Sequence, residues 1–262
     1  MELRRVPVVT VSSGRAAPTE SLLPVEVPVT VYLNEHMLST LMALPGQERE
    51  LAIGYCLGTG VVASFRDIYL VQHCPDEDPE ATRRVVRVQA RPEAVRFQAA
   101  EQRLVLAGCG GLDLASWGNF PRLPEPSGVL VKAEQLYGMA LRLRRESPLY
   151  RKAGAVHVAA LFGPDGTLRA WAEDIGRHNA ADKAVGGALL RGEALDDAIL
   201  LTTGRASHEL VVKARHLSIP CVGVLSAPTS LAVQLAVEGR CTLVGRFRAS
   251  QFLIYAWPER IG

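Results

Sequence analysis

Between Glu173 and Lys183 the sequence reads EDIGRHNAADK and packs Glu173, Asp174, Arg177, His178, Asn179, Asp182 and Lys183 into eleven positions. Asn179 followed three residues later by Asp182 reads as a helix N-cap with its capping box. Arg177 and His178 are then left over. A guanidinium grips phosphate through paired N–H groups, and an imidazole donates to phosphate or exchanges protons near neutral pH. A second segment, TGRASHELVVK at Thr203 to Lys213, follows the apolar run AILLTT and leads into a helical pattern. Gly204 supplies a flexible turn, Arg205 a cation and Ser207 a hydroxyl suited to capping. A third turn, Ser226, Ala227, Pro228, Thr229 and Ser230, follows CVGVL in the same way. Taken alone, each turn is satisfied by helix caps at Ser207 or Ser230 and a surface pair at Arg205. On consecutive strands they read together as an anion site, because exposed N–H groups at helix starts collect anions beyond the strand ends of an open α/β sheet. His157, within VHVAAL, fits a half-buried structural histidine and a ligand contact equally well. Cys109 stands between Gly108 and Gly110, where little bulk shields a thiolate.

These residues must be positioned by an α/β scaffold. From Lys132 to Glu146 apolar residues recur at three and four, predicting an amphipathic helix ended by Pro148. VHVAALF and LRAWAED flank GPDGT as a hairpin. Helical and strand patterns then alternate to the end, which predicts a three-layer α/β domain with a mixed sheet over 129–262. The N-terminal part, 1–107, reads as a smaller β-rich domain with one helix at ERELAIGYCLGTG. Its first twenty or so residues read as a loose arm. Strands are expected at Val25 to Asn34, Ile68 to Val71, Val85 to Gln89, Val95 to Gln98 and Leu104 to Leu106, in a small antiparallel sheet. The Gly- and Pro-rich stretch 108–128 reads as a connector carrying Cys109.

Composition narrows the function classes. The 262 residues include 29 basic and 27 acidic side chains, a net charge of +2, so no broad field favours nucleic acid or an anionic membrane. The N-terminus lacks the apolar stretch of a signal peptide and no window suits a spanning helix, which predicts a cytoplasmic protein. Five cysteines without a secretion signal argue for reduced thiols, with Cys56, Cys221 and Cys241 as small core residues. GTGVVA at Gly58 to Ala63 follows a helical pattern and so is no dinucleotide fingerprint. There is no Walker loop, no H-E-x-x-H and no Cys/His pair at zinc-ligand spacing, so no metal site is assigned.

The two central motifs, with VPVTVYLN, ELAIGYCLGTGVV, GCGG, VHVAAL, SAPTSLAVQLA and the tail GRFRASQFLIYAWPERI, resemble the FdhD family of formate dehydrogenase accessory sulfurtransferases. The resemblance spans most of the chain. It implies a C-terminal domain similar to the cytidine deaminase fold, used without zinc. It further implies that persulfide sulfur is accepted from a cysteine desulfurase and passed to molybdenum in the bis(molybdopterin guanine dinucleotide) cofactor, for delivery to formate dehydrogenase. Cofactor contacts then fall on Arg246, Phe247, Arg248, Ala249, Ser250 and Gln251, and the turns carrying Arg177, His178, Arg205, Ser207, Ser226 and Thr229 gain a pyrophosphate and guanine ligand. On a strand, Arg246 and Arg248 would share a face. Cys109 becomes the persulfide carrier. The family commonly has a C-x-x-C pair there, whereas this chain continues Gly110, Gly111, Leu112. That departure keeps an alternative in view, a cofactor-binding chaperone without sulfur relay. A zinc deaminase is a weaker option, since His157 is followed by Val158 and Ala159 and Cys221 has no partner cysteine at C-x-x-C spacing. A homodimer is compatible with the sequence.

Overall fold

The computed structural model describes residues 2–74, 84–96, 122–125, 130–248 and 251–262. Its N-terminal residues form a hairpin of β1 (Leu3–Ser12) and β2 (Arg15–Pro24), not the expected loose arm. The turn explains the difference: Ser13 and Gly14 both have positive φ (49° and 77°), the primed turn whose twist suits a two-residue connection.

A four-stranded sheet follows, in the order β4-β3-β6-β5, from β3 (Val27–Leu33), β4 (His36–Ala43), β5 (Ile68–Cys74) and β6 (Arg84–Ala90). It is mixed rather than antiparallel, because β3 and β6 run parallel. Sequence patterning does not place β4 as the neighbour of β3, because its exposed face carries His36, Met37 and Thr40. Val95 makes only an isolated bridge with Val62, and Leu104 to Leu106 lie outside the described residues. Helix α1 (Glu48–Gly58) covers one face of this sheet, burying Leu51, Ile53 and Leu57 with Val29, Val31, Val86 and Val88.

The C-terminal half is built on a six-stranded mixed sheet, ordered β12-β11-β10-β9-β7-β8. Its strands are β7 (His157–Phe162), β8 (Leu168–Asp174), β9 (Ile199–Thr202), β10 (Cys221–Val224), β11 (Thr242–Arg248) and β12 (Gln251–Ala256). The three central strands β9, β10 and β11 are parallel. Strand alternation divides the core into two layers. Ala159, Leu161, Leu200 and Val222 face α4 (Arg177–Leu190), α5 (His208–His216) and α6 (Ser230–Gly239). Val158, Ala160, Ile199 and Leu201 face α2 (Ala133–Arg145), which is followed at Pro148 by the short α3 (Pro148–Ala153). The sheet is thus covered on both faces.

The two halves meet where α1 crosses α4. A Cβ at Gly54 would lie 2.0 Å from the Asp182 carbonyl oxygen, and one at Gly186 would lie 2.0 Å from that of Glu50. Only glycine permits this approach, so the two backbones touch. No helix among the described residues is long and apolar enough to cross a membrane.

Candidate functional site: a polar cleft between α4, α5 and the strand ends

Much of EDIGRHNAADK is structural. Glu173 accepts hydrogen bonds from the N–H groups of Leu149 (3.2 Å) and Tyr150 (2.8 Å), which satisfies the open start of α3. Asp174 is fully buried and accepts from the N–H groups of Leu44 (3.0 Å) and Gly176 (2.9 Å). Lys183 pairs with Asp174 at 2.7 Å and donates to the Leu44 carbonyl at 2.6 Å. The predicted capping box is absent: α4 begins three residues earlier than an Asn179 cap would place it, at Arg177 with Gly176 as N-cap, so Asn179 lies inside its first turn. The Asn179 amide instead donates to the Met42 carbonyl (2.8 Å) and to Asp174 (3.1 Å). These bonds tie β4 and the loop after it to the start of α4.

The remaining polar groups form two rungs between α4 and α5. His178 and Asp182 are four residues apart on α4, and Glu209 and Lys213 are four apart on α5, so each pair shares a helix face. His178 Nδ1 lies 3.2 Å from Glu209 Oε2, and Lys213 Nζ lies 2.6 and 2.8 Å from the two Asp182 oxygens. Burial alone would lower the Lys213 pKa. The carboxylates of Asp182 and Glu209 outweigh it and hold the ammonium above its usual range. Burial, reinforced by the charges of Lys213, Arg177, His208 and His157, pushes the pKa of His178 down to about 2, so the ring is neutral. With Nδ1 facing a carboxylate, the ring proton sits there and Nε2 is the acceptor. Ser207 Oγ, 3.0 Å from Nε2, is then the donor. Ser207 occupies the N-cap position of α5, but its side chain caps nothing.

A cavity of about 180 Å³ opens beside these rungs, lined from β4 by Thr40, from α1 by Tyr55, from β7 by His157 and from α4 by Arg177. Arg177 Nε is buried with no hydrogen-bond partner among the described residues. The Arg177 side chain lies across the Thr203 to Ser207 turn, since a Cβ at Gly204 would sit 2.9 Å from its Cβ and 3.2 Å from its Cδ. Both central motifs therefore wall one cleft. Burial lowers the His157 pKa, and the positive charges of Arg177 and Arg205 add to the effect over the pull of Asp174.

The strand-end turns are joined as well. Thr229 N–H donates to the Ala206 carbonyl at 2.9 Å, and the Arg246 N–H donates to the Ser226 carbonyl at 2.6 Å. Thr229, not Ser230, caps α6, accepting from the Ala232 N–H at 3.3 Å. Arg246 has φ 56° within a bulge of β11, and both it and Arg248 are exposed. Phe247 between them is buried and stacks on Phe252 with ring centroids 5.0 Å apart, so it props the strand rather than offering a free contact. Gln251 is exposed, paired in register with Arg248, while Ala249 and Ser250 lie outside the described residues. Cys109 also lies outside them. Arg177, His178, Arg205 and Ser207 are brought together; Ser226 and Arg246 meet at the next turn along the sheet edge. Glu209 and Lys213 were missed as site residues. Their signal was an acid and a base one turn apart inside an apolar helix, matching His178 and Asp182.

Burial raises the thiols of Cys56 and Cys241 to about 12 and that of Cys221 further, as fits small core residues. Among the described residues no three His, Cys, Asp or Glu side chains gather where they could hold a metal ion.

Residues 24–262 match the FdhD/NarQ family model. The chain is 36% identical to the sulfur carrier protein FdhD of Streptomyces coelicolor, covering 97% of this chain and 94% of that protein. It is 30% identical to the sulfur carrier protein FdhD of Sulfolobus acidocaldarius over 100% of this chain and 99% of the relative. The fold also matches a crystal structure from Desulfotalea psychrophila, provisionally described as a formate dehydrogenase accessory protein, with a TM-score of 0.80, 24% identity and full coverage of both chains. With the match running through every element that walls the cleft, the chain belongs to the FdhD/NarQ family.

Proposed function

We propose that this chain is a sulfur carrier protein required for formate dehydrogenase activity. Cys109 accepts persulfide sulfur from a cysteine desulfurase and passes it to the molybdenum of a bis(molybdopterin guanine dinucleotide) cofactor held as cargo. The observation that carries the reading is the convergence of Arg177, Arg205 and His157 on one strand-end cleft, with Arg246 and Arg248 exposed farther along the same edge. Two pyrophosphates need dispersed guanidinium donors, and such an edge supplies them. The relatives named sulfur carrier protein FdhD support the same role. The C-terminal sheet, with helices on both faces, is used as a cytidine deaminase-like scaffold without zinc: Ala159 stands where a deaminase would need its glutamate, and Cys221 is buried. Reduced, buried thiols fit a cytoplasmic setting.

Incubation with a cysteine desulfurase and cysteine, followed by peptide mass spectrometry, is expected to find one added sulfur on Cys109. An unmodified Cys109 beside a labelled control carrier would reject sulfur transfer. Leu112, in place of the second cysteine of a C-x-x-C pair, favours a second reading, a chaperone that binds the cofactor without relaying sulfur. That reading expects Cys109→Ala to leave formate dehydrogenase maturation intact. The sulfur carrier reading expects maturation to be lost while cofactor binding persists.

A further inference from the structure

A groove of about 650 Å³ opens along the seam of the two halves, at the end of the molecule away from the polar cleft. Helix α4 measures the separation: it starts at Arg177 in the cleft, and its 14 residues run about 20 Å to Leu190 beside the groove. Helices α1 and α5 also end here, at Gly58 and His216. The floor is Leu57, Phe65, Leu189, Leu195 and Leu217. Leu189 and Leu217 pack against the cores of both halves, so the floor is held in place from either side. On the N-terminal wall stands exposed Arg66; on the C-terminal wall stand Glu193 and exposed Asp196. The carbonyl ends of the three helices add partial negative charge to those acids. The groove is thus shaped for an apolar side chain with a lysine or arginine next to it, and it repels phosphate.

Residues 97–121, which include Cys109, join two points that flank this groove. At the first, the Arg96 N–H donates to the Val61 carbonyl (2.9 Å) and the Ala63 N–H to the Ala94 carbonyl (3.3 Å), and Ala63 and Ser64 line the groove. At the second, the Leu123 N–H donates to the Gly239 carbonyl (3.0 Å) and Arg260 to the Pro124 carbonyl (3.1 Å). Arg122 is near the last turn of α5, where burial, and after it the charge of Arg122, lowers the Arg215 pKa. The next two residues, His216 and Leu217, line the groove. Thirteen residues separate Cys109 from either point, at most about 45 Å of chain. We infer that the groove is the docking surface of the protein that loads Cys109, a cysteine desulfurase, which lays an apolar side chain on Leu189 and Leu217 and a basic one against Asp196. The identity of this partner rests on the sulfur carrier reading above. In the docked pair Cys109 Sγ bonds to the terminal sulfur of the donor's persulfide, the donor's S–S bond breaks, and the donor cysteine leaves as a thiolate that takes up the proton released by Cys109. Sulfur moves with no net oxidation, so no further reagent is consumed.

The test uses the full-length protein and a purified cysteine desulfurase. Ala194→Arg fills the groove from an exposed position, Asp196→Lys reverses its charge, and Asp196→Glu keeps it. Calorimetric titration should show affinity for the desulfurase falling about tenfold or more in the first two. It should change little in Asp196→Glu and in Val9→Arg, an exposed control on the N-terminal hairpin. Loading of Cys109 with desulfurase and cysteine, read by peptide mass spectrometry at limiting desulfurase, should fall alike, while loading with inorganic polysulfide should not. The inference is overturned by wild-type affinity in both groove variants, by an affinity for the desulfurase too weak to measure in the wild type, or by equal loss of loading with polysulfide. Sedimentation that shows self-association abolished by Ala194→Arg, with desulfurase affinity intact, would assign the groove to a second copy instead. Failure of the sulfur carrier reading looks different: wild-type Cys109 then takes no sulfur from either donor, and the titration still decides the groove.

Discussion

Alanine at Gly186 tests whether backbone contact between α1 and α4 is what holds the two halves in register. Intrinsic propensity favours the change, because alanine in a helix is better than glycine by about 1 kcal/mol. The structure opposes it. The new Cβ would lie 2.0 Å from the Glu50 carbonyl oxygen and 2.7 Å from its carbon, and both are backbone atoms that cannot rotate away. Relieving this requires the helices to part by more than about 1 Å, which puts the cost near the upper end of overpacking, roughly 3 kcal/mol. The net loss is then about 2 kcal/mol, or a fall in melting temperature of roughly 4–8 °C for a chain of this size. Gly138, inside α2, provides the contrast, since a Cβ there meets nothing within 4 Å. Gly138→Ala should therefore raise the melting temperature by about 2–4 °C, as propensity alone dictates. Differential scanning calorimetry of both variants measures the pair. Equal signs for the two substitutions would refute the backbone-contact account of the interface.

Lys213→Met removes one partner of a buried pair and strands the Asp182 carboxylate, so chemical denaturation should show a loss of roughly 3–5 kcal/mol, and the double variant with Asp182→Asn should recover much of it; a smaller loss in the single than in the double variant would contradict the pairing. His178 binds a proton in the unfolded chain near pH 6.5 but not in the folded one until about pH 2, so its contribution is present above pH 6.5 and drains away below it. Between pH 7.5 and 5.5 that loss amounts to about 1.4 kcal/mol, and His178→Gln should flatten this part of the stability profile measured by urea unfolding. Cys56, Cys221 and Cys241 should resist a thiol reagent in the native protein and react only on unfolding, whereas half-buried Cys74 should react first among these four. Early modification of Cys241 in a mass-mapped time course would show the core packing to be wrong.

The strand and helix order from Val156 onward was legible because each element carries its own period: alternation in β7 and β8, continuous apolar runs in the buried parallel strands, and small residues through α4. Partnership between distant elements was not. His36–Ala43 went unread as a strand since its exposed face is Met, His and Thr, and the parallel pairing of β3 with β6 depends on tertiary placement of a segment more than fifty residues on. The density of charge in EDIGRHNAADK marks the right segment, but its local spacing fits a capping box three residues beyond the true helix start at Arg177. Asp174 and Lys183 were invisible as a pair because their third partner, Leu44, lies 130 and 139 residues away. The cleft was recognisable from turn chemistry; its base and carboxylate were hidden because helix periodicity makes an inward charge resemble an outward one until a partner helix is known.

The wedging of α1 between its own sheet and α4 bears on how the chain is made. Synthesis delivers α1 long before α4, so the outer side of the helix, with Gly54 and Gly58, emerges with no surface to lie against, and the Leu44 N–H and carbonyl wait for Asp174 and Lys183. Contacts of such sequence separation are slow to form. A nascent chain halted before residue 174 would hold a four-stranded sheet whose helix is covered on one side only. Folding of the N-terminal half is thereby tied to completion of the C-terminal half.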